Sequence, residues 1–108
     1  MGASAQKRDD AIFAAAQAAQ PAVIDTLQKL VLIESGSANI AGIARVADFA
    51  QARLDALGAK TERIQTSNSE RVMVKGVLKG QGRLKAMLIA HMDTVYPEGI
   101  LATQPYKI

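Results

Sequence analysis

The sequence predicts an α/β fold, with helices packed on a mixed sheet. Three observations lead there. The first half repeats its apolar residues at helical spacing, and the stretch after Gly58 switches toward a period of two. A short run, Ala86-Met87-Leu88-Ile89-Ala90, is then apolar without alternation, as expected of a strand covered on both faces.

Gln6 to Ala19 is rich in alanine, and Ile12, Ala15, Ala16 and Ala19 share one helical face. Pro21 is expected to interrupt that helix or to open a second one in its first turn, where its missing N–H costs nothing. In the second, Val23, Ile24, Leu27, Leu30 and Val31 form an apolar stripe opposite Asp25, Gln28 and Lys29, and Ser35-Gly36-Ser37 ends it. The following helix is the best marked. Asn39 caps its start, Ile40, Ile43, Ala47, Ala50, Leu54 and Leu57 recur every three or four residues, and Gly58 suits the left-handed position past its end. Such a stripe is expected to cover a sheet rather than carry chemistry.

Lys60 to Thr66 reads as a half-exposed strand and Ser67-Asn68-Ser69-Glu70 as a turn. Val72, Val74 and Leu78 mark a second strand, weakened at Gly76. Gly80-Gln81-Gly82 makes another turn before the run 86–90, so antiparallel pairing is expected.

The chain has 108 residues, enough for one small domain, and its charge of +3 is mild. The seven basic residues between Lys60 and Lys85 lack interleaved aromatics. They are better read as a solvated sheet edge than as a nucleic-acid patch. With no cysteine, disulfides, thiolate metal sites and cysteine nucleophiles are excluded. No run of 18 apolar residues suggests a membrane span. The opening Met1-Gly2-Ala3-Ser4-Ala5-Gln6 has no signal-peptide pattern, and Gln6 stands where myristoylation needs Ser or Thr. Localisation is therefore open: cytoplasmic as written, periplasmic if a leader has been replaced.

The candidate site follows the apolar run. His91 is the sole histidine, and Asp93 lies two residues on. In extended backbone these side chains point the same way, toward the crevice beyond the carboxyl end of a central strand. Imidazole is a good zinc ligand, and a carboxylate near its other nitrogen can fix the tautomer. By composition alone, Asp would stand there in roughly one chain in twenty, so the spacing itself is weak.

The run Leu88-Ile89-Ala90-His91-Met92-Asp93-Thr94-Val95-Tyr96-Pro97 resembles the first metal-binding motif of the co-catalytic zinc exopeptidase and deacylase family. The likeness is greatest to its glutamate carboxypeptidase branch (carboxypeptidase G, folate hydrolase). It extends in order through Ala5–Asp9, Gln20–Ile24, Leu27–Val31, Ile33–Gly36 and Gly99–Ala102. The resemblance implies a zinc-exopeptidase domain in which His91 binds one of two zinc ions. It also implies that Asp93 counts among the catalytic residues and orients that histidine. The implied reaction is hydrolysis of an amide beside a free carboxylate, releasing a C-terminal amino acid such as glutamate.

On this reading residues 1–108 are the truncated N-terminal portion of the catalytic domain. The remaining ligands, the general base and a dimerisation domain would lie beyond it, and no substrate-binding residue is assigned. Expected partners are a small peptide or N-acyl amino acid substrate and, for the complete enzyme, a second copy in a homodimer. Neither nucleic acid nor membrane is expected. Two alternatives are an N-acyl amino acid deacylase of the same family and a non-catalytic basic α/β binding module.

Overall fold

Asp9 starts the first helix by accepting a 3.0 Å hydrogen bond at Oδ1 from the Ile12 N–H, one of the donors a helix leaves unpaired at its start. The computed structural model describes residues 6–67 and 70–108. Helix α1 (Asp10–Val31) then runs without a break through Pro21, against the expected interruption. The proline forfeits one interior hydrogen bond, but the surrounding turns are exposed, so water can satisfy the freed carbonyl. The alanine-rich stretch before the proline favours helix. No residue of α1 is buried, and Val23 is 60% exposed. Its predicted stripe is covered only in part, at Ile24 and Leu30.

Helix α2 (Ile40–Ala56) is the organising element. Asn39 serves both sides of its start: Oδ1 accepts from Gly42 N at 2.8 Å, and Nδ2 donates to the Glu34 carbonyl at 3.0 Å. At the other end Gly58 takes φ +80°, while Gly58 N and Ala59 N bond back to the Asp55 and Leu54 carbonyls. That is the left-handed cap anticipated from the glycine's position. Among the described residues the buried apolar ones, Ile43, Val46 and Ala47, all belong to α2.

Strands β1 (Lys60–Gln65) and β2 (Val72–Val77) pair antiparallel, with Lys60 opposite Val77 and Gln65 opposite Val72. Val72 and Val74 of β2 are half-buried at the expected period of two, whereas the half-buried residues of β1, Thr61 and Ile64, are three apart and lie on opposite faces of the strand. Gly76 is where Leu54 presses onto the strand: a Cβ there would meet Leu54 Cδ1 at 3.0 Å. The absent side chain makes room for the helix. The turn predicted at 67–70 includes Asn68 and Ser69, which lie outside the described residues.

The arrangement is α/β, helices packed on a small antiparallel sheet, but the predicted central strand is not formed. Residues 86–90 have no ladder partner among the described residues, and Met87, Leu88 and Ile89 are 83%, 98% and 86% exposed. Leu78, assigned to the second strand, lies past its end and is 58% exposed. The apolar run carries a local preference only. A strand also needs neighbours to take its N–H and C=O groups, and among the described residues there is only a two-stranded sheet. The radius of gyration, 17.4 Å, exceeds the roughly 13 Å of a compact chain this long, in keeping with an uncovered α1 and segment 84–90. A short helix, α3 (Ile100–Thr103), follows. Among the described residues no helix is long and apolar enough to cross a membrane.

Two outcomes follow from this packing. A Cβ at Gly42 would lie 1.9 Å from the Glu34 carbonyl oxygen, which is backbone and cannot rotate away. Gly42→Ala should therefore lose about 1–2 kcal/mol in urea unfolding, the overlap outweighing the roughly 1 kcal/mol helix-propensity gain. The uncharged run 86–90 is an exposed β-prone window, so Leu88→Lys with Ile89→Glu should lower light scattering on concentration and leave the far-UV spectrum unchanged.

Candidate metal-ligand site

The site is assembled by a close approach of two loops. Residues 35–37, between α1 and α2, meet residues 94–96 through an isolated parallel bridge between Gly36 and Thr94. Thr94 N donates to the Ser35 carbonyl at 2.8 Å, and Ser37 N donates to the Thr94 carbonyl at 3.0 Å. Ser35 and Gly36 are buried here. The backbones are so near that a Cβ on Gly36 would fall 2.3 Å from the Tyr96 carbonyl oxygen. Only glycine fits. Asn39 N closes the loop onto the Gly36 carbonyl at 2.7 Å, tying it to the start of α2.

His91 and Asp93 do share a face, as their spacing predicts. Nδ1 of His91 lies 3.2 Å from Asp93 Oδ1. Ser37 Oγ donates to the other carboxylate oxygen, Oδ2, at 2.7 Å. These bonds hold the Asp93 carboxyl below the usual carboxylate range, the Ser37 hydroxyl contributing most and His91 next. A carboxylate only accepts, so the neutral imidazole presents N–H at Nδ1 and keeps the Nε2 lone pair free. The His91 side chain is 91% exposed, and that of Asp93 is 35% exposed. The expectation that both sit at the mouth of a central strand is corrected: they follow an unpaired extended segment, and the ring stands in solvent. The neighbouring cavity is lined by Gly36, Ser37, Asn39, Thr94, Tyr96 and Glu98 among others, and His91 does not line it.

As a donor set this suits zinc in kind and falls short in number. An imidazole whose second nitrogen meets a carboxylate is the usual form of a zinc-binding histidine. Among the described residues, however, no group of three His, Cys, Asp or Glu side chains gathers to hold an ion. The basic stretch is partly engaged in the fold, with Arg63 on Asp48 and Gln51 and Lys75 3.7 Å from Glu62.

Two contributors were not singled out from the sequence. Ser37 reaches Asp93 from 56 positions away, a distance no local pattern reveals. Glu34 accepts from Gly99 N at 2.8 Å on one carboxylate oxygen and from Leu101 N at 3.1 Å on the other, fastening the chain that leaves the site. These backbone donors, Gly99 first, lower its pKa. A lowered folded value means the clamp's contribution is fully present above the ordinary Glu value of about 4.3 and is lost as pH falls through the folded value. The Gly99 and Leu101 amide shifts should therefore titrate with a midpoint below about 4.3, and Glu34→Gln should abolish that titration.

No protein-family model matches the chain. It is similar to Carboxypeptidase G2 of Pseudomonas sp. (strain RS-16), at 43% identity over 109 residues. The match takes in 98% of this chain and 26% of that protein. The chain is thus a carboxypeptidase-G-like sequence that spans about a quarter of the length of its relative.

Proposed function

We propose that residues 1–108 form the N-terminal portion of the catalytic domain of a zinc-dependent metallocarboxypeptidase that releases a C-terminal amino acid such as glutamate. The observation that carries this reading is the 43% identity to Carboxypeptidase G2 across nearly the whole chain. The His91–Asp93 pair within that span supplies the matching chemistry. In this role His91 would offer Nε2 to one zinc, while the Asp93 carboxylate would accept the hydrogen bond from Nδ1–H and keep the ring oriented. Zinc, when bound, acts as a Lewis acid on the scissile carbonyl and activates water for attack. The substrate on this reading is a small peptide or N-acyl amino acid, and the complete enzyme is a homodimer. Nothing in the geometry favours the deacylase or the basic binding module over it.

A catalytic zinc normally takes three protein ligands, and His91 supplies one. The 108-residue chain alone should therefore show no carboxypeptidase activity and only weak zinc binding by calorimetry. A chimera in which this chain replaces the matching quarter of Carboxypeptidase G2 should retain zinc-dependent release of C-terminal glutamate. In that chimera Asp93→Ala should lower kcat/KM by about 10- to 100-fold, and His91→Ala by more. An active chimera indifferent to His91→Ala would overturn the assignment.

A further inference from the structure

We propose that Ser37 is a positioning residue for His91, acting through Asp93; this rests on the His91–Asp93 pairing used above. The two oxygens of the carboxylate are divided between the two partners. Oδ2 is held by Ser37 Oγ at 2.7 Å, which turns Oδ1 toward His91 Nδ1 at 3.2 Å. The imidazole is almost wholly exposed, so no packing restrains it. Its orientation and its tautomer depend on where the carboxylate points.

Ser37 is placed to give that restraint. Its own backbone N–H is bonded to the Thr94 carbonyl at 3.0 Å, one residue from Asp93. The preceding residue, Gly36, sits where no side chain fits. The loop is further fixed to α2, which holds the buried apolar residues, through Asn39. The hydroxyl has a second acceptor in reach, the Thr94 carbonyl at 3.2 Å. The single O–H proton goes to Asp93, because that bond is shorter and its acceptor is charged. The anchored loop thereby passes its rigidity to the carboxylate, and the carboxylate passes it to the ring. Nε2 is left as the free lone pair, aimed in one direction.

The chain's single histidine makes this directly readable. Nitrogen-15 NMR of the imidazole at about pH 8.5, where a histidine is neutral, gives the ratio of Nδ1–H to Nε2–H tautomers. Ser37→Ala should lower that ratio by about two- to threefold, the scale of one modest hydrogen bond, and Ser37→Thr should restore it. Asp93→Asn, which removes the charged acceptor, should lower it at least as far. If Asp93→Asn moves the ratio and Ser37→Ala does not, the role of Ser37 is refuted and the His91–Asp93 pair stands. If neither moves it, the pair itself is refuted and Ser37 with it. Should Ser37→Ala disturb the amide signals of Ile43 and Val46, Ser37→Cys, similar in size and a weak donor, supplies the same comparison. Zinc plays no part in the readout, so failure here leaves the chimera experiment to judge the metallopeptidase reading independently.

Discussion

The contact on which the rest depends is the meeting of two bare backbones at Gly36 and Thr94. It spans 58 positions of sequence with two hydrogen bonds and no side chain between them. Because Gly36 lacks a Cβ, the Tyr96 carbonyl can come within a distance that any other residue would forbid. Everything that makes the site specific is hung from this junction. Ser37 is carried to Asp93, Glu34 is carried to Gly99 and Leu101, and Asn39 links both to the start of α2.

The junction also explains how a site can be held in place beside a segment that has no pairing and no cover. Residues 86–90 have neither pairing nor cover, yet Asp93 a few residues later accepts a 2.7 Å hydrogen bond. Order at the site therefore comes from the α1–α2 loop rather than from a strand leading into it. This differs from open α/β sheets, where the strand itself presents the ligand.

What could be read from the sequence divides along the range of the forces involved. The cap at Asn39, the left-handed Gly58 and the alternation in β2 are local effects, settled by residues within a few positions of each other. They could be anticipated. So could the shared face of His91 and Asp93, because extended backbone imposes a period of two. The unbroken α1 was missed because a proline's cost in an exposed helix is finite and its alanine neighbours offset it. The expected central strand at 86–90 does not form, since apolar composition states a preference that only partner strands can satisfy. Ser37 and Glu34 could not be found by any periodicity, because their partners lie 56 and 65 residues away.

The bare segment has a consequence for the lifetime of the chain among proteases. Arg83 and Lys85 flank Leu84 in a stretch where main-chain groups lie open to water, the setting in which a trypsin-like enzyme can seat its substrate. A nick there would sever α2 and its hairpin from the histidine in covalent terms only. The two pieces would still be clasped at Gly36 and Thr94, and at Glu34 and Gly99, so they would travel together until the clasp opened.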